Sequence, residues 1–118
     1  HAVHIDGIAA SHYPIDVHGV DDISLGLKYQ HDVPADEQYW EVPFRVMIPK
    51  TLDNVLTAGR CAGMDFRAQS AARIQPTCRS MGEAAGIAAA MAVKNEAVRF
   101  NEIDGTAVRR EIRLPDKF

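Results

Sequence analysis

The stretch Arg73–Val93, RIQPTCRSMGEAAGIAAAMAV, decides how the chain folds. Pro76 lacks the N–H group that the first turn of a helix leaves unpaired, and the residues after it favour a helix that runs to about Lys94. Gly82 and Gly86 lie four residues apart among alanines, although each glycine costs a helix about 1 kcal/mol relative to alanine. We therefore predict one long helix whose smooth surface packs closely against a sheet or another helix.

A second stretch, DNVLTAGRC at Asp53–Cys61, is a short apolar run that ends in Gly-Arg-Cys. Such a run is typical of a strand buried on both faces of a parallel sheet, so we predict a strand at Asn54–Ala58. Two more strands are predicted, at Ala2–Ile5 and over Glu41–Ile48, where apolar residues recur at every second position. Pro43 makes the latter an edge strand or a strand start.

The C-terminal segment Thr106–Arg113 predicts a short helix with Val108 and Ile112 on one face. We expect its arginines to form a solvated face; they are Arg109, Arg110 and Arg113. A polar, turn-rich segment, His18–Gln38, predicts a surface excursion.

Charge and hydropathy exclude two classes of partner. Lys and Arg number 13 against 16 Asp and Glu, a formal net charge of −3, so we expect no nucleic-acid partner. The longest mostly apolar run, Ala84–Val93, is about half of the roughly 20 residues that cross a bilayer, so we expect no membrane span. The composition is that of a soluble globular protein.

Because the chain opens with His1, we expect an excised fragment, with the cytoplasm as the favoured compartment and any targeting signal upstream.

Cys61 and Cys78 lie too far apart for the CxxC spacing of a zinc site. We expect buried thiols, the commonest environment of a free cysteine, over a reactive Cys78 near the start of the long helix.

The segment YPIDVH at Tyr13–His18 is predicted to be extended, because Pro14 disfavours helix at Tyr13. Its Asp16 and His18 would then lie on one face, where they form either an acid–base pair facing a substrate or ordinary polar residues facing solvent. A metal site is disfavoured, since the spacing of the candidate ligands is loose; these are His1, His4, Asp6, Asp16 and His18.

A strand, a Gly-Arg-Cys turn, a loop and a proline-started helix also have a chemical use. The unpaired N–H groups and partial positive charge of a helix N-terminus stabilise an anion or an electron-rich carbonyl. For a flavin this is the edge formed by N1 and the C2 carbonyl, where charge tunes the electronics of the cofactor. The element order therefore predicts a redox site.

Two segments, FRVMIPKTLDNVLTAGRC at Phe44–Cys61 and ARIQPTCRSMGEAAGIAAAMAV at Ala72–Val93, resemble the C-terminal part of the FAD-dependent oxidoreductase family. YPIDVH resembles an upstream segment of that family, and the likeness extends over about Tyr13–Arg113. It implies an α/β protein (α+β as an isolated piece), the C-terminal portion of a glutathione-reductase-like (GR2-like) FAD/NAD(P)-binding fold. Residues 1–50 would end the substrate-domain sheet, with the excursion at 18–38, and residues 51–118 would supply the last strand and helices of the FAD-binding domain.

The resemblance also implies which residues meet FAD. Those near the ribityl and pyrophosphate groups would be Gly59, Arg60 and Cys61, with Arg60 a phosphate partner. Those bordering the flavin ring would be Arg73, Gln75, Pro76, Thr77 and Cys78. Many other proteins of this fold carry an acidic residue after the strand-end glycine, where this chain has Arg60.

The family implies hydride transfer between an organic substrate, here unknown, and flavin N5, with Asp16 and His18 as candidates for substrate contact or proton transfer. No GxGxxG fingerprint occurs in the 118 residues. We therefore expect a missing N-terminal part of the same enzyme as partner, and an isolated chain that is inactive and binds FAD weakly or not at all. The alternative is a non-catalytic α+β interaction module that self-associates into a homo-oligomer through its Gly/Ala-rich helix.

Overall fold

A computed structural model of the chain describes residues 3–16, 39–96 and 99–112. This part of the chain is an α+β arrangement of two strands and three α-helices. The elements are β1 (Gly7–Ser11), β2 (Trp40–Pro43), α1 (Phe66–Ala72), α2 (Gln75–Lys94) and α3 (Gly105–Ile112). Short 3-10 helices occur at Phe44–Met47, Gly59–Cys61 and Phe100–Glu102.

The two strands pair antiparallel, and both differ from their predicted positions. β1 begins at Gly7 and not within Ala2–Ile5; Ile5 is 82% exposed. β2 ends at Pro43, whose nitrogen has no hydrogen to donate to a ladder, and the chain turns into the 3-10 helix Phe44–Met47. The strand predicted over Glu41–Ile48 is therefore half its expected length.

No strand forms at Asn54–Ala58, so that prediction is wrong for the described chain. A strand buried on both faces needs neighbours on each side. The backbone of this segment makes one hydrogen bond within the described residues, from Thr57 N to Met47 O at 2.8 Å. Asn54 and Val55 are exposed, and the residues from Leu56 to Gly59 are only partly buried.

The long helix is confirmed: α2 begins at Gln75, with Pro76 in its first turn. Its buried residues are spaced three or four apart, as on one face of a helix: Thr77, Met81, Ala84 and Ala88. The close packing is made by this alanine face. Gly82 and Gly86 instead face open space, so the expectation that they admit a close neighbour is wrong within the described chain.

The core lies between the two-stranded sheet, α2 and α3. Its buried apolar side chains are Ile8, Ala9, Val42, Phe44, Met47, Ala62, Met81, Ala84, Ala88, Ile103 and Val108. Residues from both sides of the predicted boundary at 50/51 contribute to it, and the division into two domain parts stays a prediction. No helix in the described ranges is long and apolar enough to span a membrane.

α1 was not predicted, although its start carries a recognisable signal. The Asp65 carboxylate accepts a hydrogen bond from Ala68 N at 2.8 Å, which is the usual contact of an N-cap aspartate. Asp104 does the same for α3, where its carboxylate accepts from Thr106 N and Oγ1. The bonds from Thr106 lower the pKa of Asp104.

Arg109 does not lie on a solvated face as predicted. Its Nη2 lies 2.8 Å from Glu41 Oε1, and its Nη1 donates to Gly7 O at 3.0 Å. The Glu41 side chain is 1% exposed and also accepts from His4 N at 2.9 Å. A Cβ atom on Gly7 would overlap Arg109 Nη1 and Glu41 Oε2, so a larger residue there would displace the ends of these two side chains. This clamp ties α3 to both strands, while Arg110 stays exposed and Arg113 lies outside the described residues.

We expect Arg109→Met to lower the free energy of unfolding by about 3 kcal/mol, because the Glu41 carboxylate would stay buried without its cation. Urea unfolding followed by circular dichroism measures the loss. Arg110→Met is the matched control on the same helix: Arg110 is 73% exposed and lies 3.8 Å from Asp104. Its loss should stay within about 0.5 kcal/mol. Equal losses in the two variants would contradict the clamp.

Candidate functional site

The Gly59–Cys61 turn packs against the first turns of α2. Gly59 has a φ of +64°, in the left-handed region that favours glycine. A Cβ atom built on Gly59 would lie 3.5 Å from Cys78 Cβ, so the turn and the helix approach to ordinary van der Waals distance. Two predicted cofactor segments that are distant in sequence are thus neighbours in the structure.

Arg60 is held beside the start of α2. Its Nε donates to Arg73 O at 3.1 Å, and its own carbonyl accepts from Gln69 Nε2 at 2.7 Å. Both partners belong to the C-terminal end of α1 and the short connection to α2. α1, which the sequence reasoning missed, therefore positions a predicted cofactor residue.

An open groove of about 560 Å³ lies at this junction, lined by Arg60, Gln75, Cys78 and Arg79. Arg79 was not predicted as a site residue; it follows Gln75 by one helical turn, and that spacing was the available signal. The described lining contains two guanidinium groups and no carboxylate. Its charge suits an anionic ligand.

The N-terminus of α2 has unpaired donors. The N-cap residue Ile74 offers no side-chain acceptor, and Pro76 has no N–H. Cys78 N donates to Ile74 O at 3.0 Å, whereas the N–H groups of Gln75 and Thr77 have no acceptor among the described residues. Together with the partial positive charge of the helix end, these donors favour an anion or an electron-rich oxygen.

Thr77 carries the one buried side-chain oxygen or nitrogen atom without a hydrogen-bond partner in the described part of the chain. The residue is 1% exposed. Most buried polar groups in proteins are paired, and each exception calls for a physical explanation.

Asp16, predicted to act on the substrate, lies beside Arg73, predicted to border the cofactor. Asp16 Oδ2 is 3.1 Å from Arg73 Nη2 and accepts from the Tyr13 hydroxyl at 2.9 Å. The bond to Asp16 and the nearby negative charge raise the pKa of Tyr13, a residue the sequence analysis did not assign to the site. His18, the other candidate, lies outside the described residues.

The cysteines differ from the expectation of two buried thiols. Cys61 is exposed, because it ends the surface 3-10 helix, and Cys78 is half-buried at the groove. Within the described ranges no group of three His, Cys, Asp or Glu residues is arranged to hold a metal ion.

A second groove, of about 690 Å³, is lined in part by residues of β2 and α1. Its lining is mainly apolar and includes Ile15, Trp40, Val42, Val46 and Met64. Ile15 precedes Asp16, so the second groove borders the segment that carries the Asp16–Arg73 contact. Apolar grooves of this size suit a small organic molecule.

We expect Asp16→Asn to lower the pKa of Tyr13 toward its usual value near 10, because the charged acceptor is removed. The ring carbon shifts of ¹³C-labelled tyrosine, followed by NMR against pH, measure it residue by residue. A raised pKa in the folded state also means that the contribution of Tyr13 to stability is complete below its usual pKa and is lost as pH rises through the folded-state pKa. An unchanged Tyr13 titration in Asp16→Asn would refute the contact, and Asp53→Asn serves as the charge-matched control.

Comparison with known proteins agrees with the resemblance seen in the sequence. The family model of FAD dependent oxidoreductases matches residues 1–112 of the 118-residue chain. No curated protein and no solved structure matched. The matched range contains the Gly59–Cys61 turn, the start of α2 and the Asp16–Arg73 contact. The chain belongs to the FAD dependent oxidoreductase family.

Proposed function

We propose that the chain forms the flavin-facing part of an oxidoreductase that moves a hydride between an organic substrate and FAD. The observation that carries the proposal is the pairing of Arg60 with the uncapped N-terminus of α2 at one groove. Family membership indicates the class of cofactor, and this pairing indicates which atoms of the chain would contact it.

The donors present fit FAD chemically. FAD has an anionic pyrophosphate and an electron-rich edge on its ring, and the groove offers guanidinium groups and the unpaired N–H group of Gln75. We assign Arg60 and Arg79 to the phosphate and the N–H group of Gln75 to the ring edge. The buried Thr77 hydroxyl, which lacks a partner in the described chain, is consistent with a ligand or a further chain segment completing this region.

When bound, FAD supplies the acceptor or donor of the hydride. The residues of this chain would tune and hold it. The positive end of α2 stabilises negative charge on a neighbouring group, which favours electron uptake there. Arg60, tied to the Arg73 carbonyl, would keep a phosphate at a fixed place relative to that helix end.

Asp16 is one of the two residues proposed to contact the substrate. One of its carboxylate oxygens accepts from the Tyr13 hydroxyl and pairs with Arg73 Nη2. His18 stays a candidate for substrate contact or proton transfer. The apolar groove beside Ile15 is our candidate for the body of the substrate, because it adjoins the Asp16–Arg73 contact.

We also propose that a dinucleotide-binding segment from an N-terminal part of the same enzyme completes the site, since the 118 residues contain no GxGxxG sequence. The isolated chain would then be inactive and would retain FAD weakly or not at all. No observation favours the alternative of a self-associating interaction module.

Titration with FAD tests this division of the site. We expect no change in flavin fluorescence or absorbance with the chain alone, and a clear change when the N-terminal part is supplied in trans. Tight binding to the chain alone would contradict the division. No binding to either mixture, with both parts folded by circular dichroism, would contradict the flavin site itself.

In the complemented protein we expect Arg60→Ala to weaken FAD binding by about 1.5–3 kcal/mol, the usual loss for a charge-assisted hydrogen bond. Arg110→Ala is the matched control, because the Arg110 side chain is 73% exposed on α3 and lines neither groove. Its flavin content per protein should equal that of the unaltered chain. Equal FAD affinity in the two variants would remove Arg60 from the site.

A further inference from the structure

We propose that Asp16 is a positioning residue: through Arg73 it fixes the backbone carbonyl that orients Arg60 at the groove. The inference rests on the proposed function only for the nature of the ligand. It assigns to Asp16 a role other than proton transfer with the substrate.

The first link joins segments that are distant in sequence. Asp16 lies 57 positions before Arg73, and their ion pair measures 3.1 Å. The Asp16 side chain is 30% exposed and the Arg73 side chain 40%. The same oxygen of Asp16 accepts from Tyr13, whose carbonyl accepts from Trp40 Nε1 at 2.8 Å. The carboxylate is thus fixed to the sheet side of the molecule.

The second link is the Arg73 residue itself. Its N–H donates to Gln69 O at 3.0 Å, and its Nε donates to Ser70 O at 3.3 Å. These bonds place Arg73 at the end of α1, and the Asp16 contact holds the far end of its side chain. Held at several points, the residue presents its carbonyl oxygen in one direction.

The third link is the bond from Arg60 Nε to that carbonyl, at 3.1 Å. Arg60 is exposed, and an exposed arginine otherwise samples many rotamers. With Nε occupied, its two terminal nitrogen atoms have no partner among the described residues and remain available to an anion. A bond at Nε thus orients the guanidinium group without consuming its ligand-binding edge.

The size of the effect distinguishes positioning from catalysis. Partly exposed ion pairs contribute at most about 1 kcal/mol, so losing one should change a coupled equilibrium by about two- to five-fold. The loss of a general acid or base costs about 10²–10⁴ in rate. The proposed role therefore predicts a small change in the hydrogen bond of Arg60, measurable without any reaction taking place.

Exchange of the Arg60 Nε hydrogen with solvent, measured by ¹⁵N NMR on the full chain, tests the relay without a ligand. Arg60→Lys assigns the signal by removing it. We expect about two- to five-fold faster exchange in Asp16→Ala and a return toward the original rate in Asp16→Glu. Asp53→Ala is the matched control, because it also removes a carboxylate paired with an arginine, Arg99, and should leave Arg60 unchanged.

Inorganic diphosphate, titrated with the same NMR signals as readout, tests the consequence for binding. Removing a carboxylate from a chain of net charge −3 would by itself strengthen binding of an anion. We expect the opposite sign, a weakening of about two- to five-fold in Asp16→Ala. In the Arg60→Ala background the same change should have no further effect, which a general loss of structure would not produce.

The outcomes separate this inference from the proposed function. Unchanged Arg60 Nε exchange in Asp16→Ala overturns the relay, whatever diphosphate does. Equal weakening of diphosphate binding with and without the Arg60 side chain also overturns it. Faster exchange combined with no binding of diphosphate, even with the N-terminal part supplied in trans, confirms the relay and refutes the groove as a phosphate site.

Discussion

The buried carboxylate of Glu41 constrains the described chain more than any other single group. A charge that is 1% exposed needs donors, because burying it unpaired costs several kcal/mol. Its donors come from opposite ends of the chain, the N–H of His4 and the guanidinium group of Arg109. β2 therefore takes its place only when the segment before β1 and the helix α3 both close around it. Because α3 also packs on α2, the clamp fixes the long helix as well.

α2 has two regions with different physical roles. Its alanine and methionine face fills the core, where Met81, Ala84 and Ala88 are fully buried. Its first turn, in contrast, lacks the side-chain cap that many helices have, since the side chain of Ile74 cannot accept a hydrogen bond. A capping residue stabilises a helix by about 1 kcal/mol, and α2 lacks this contribution. The donors that a cap would occupy are left for the proposed ligand.

The elements that depend on local sequence were predictable, and those that depend on distant partners were not. Pro76 and the alanines after it specify α2 by themselves, and the groove residues on α2 follow from that helix. The strand at Asn54–Ala58 required neighbouring strands that the described chain does not supply. Pro43 indicated a weak strand, but the 3-10 helix after it depends on burying Phe44 and Met47 three residues apart.

The site shows the same limit. Gly59, Arg60 and Cys78 were identified from family-like motifs, and the structure brings them together. The contacts of Asp16 with Tyr13 and Arg73 span both short and long separations, and no periodicity connects residue 16 with residue 73. Arg109 was assigned to solvent for a similar reason. Its partner Glu41 is 68 positions away, and an amphipathic pattern cannot show that an arginine reaches a buried carboxylate.

Arg60 follows Gly59 directly, and the structure gives a local reason for a hydrogen-bond donor at this position. The Arg73 carbonyl accepts a hydrogen bond from the side chain of residue 60. A carboxylate there would have no hydrogen to donate to the carbonyl oxygen and would place negative charge against it. Arginine meets the requirement with one nitrogen and keeps two for a ligand. Three features therefore depend on one another: the cation at position 60, the end of α1 and the Asp16 contact. A change in one of them alters the contacts that the other two can make.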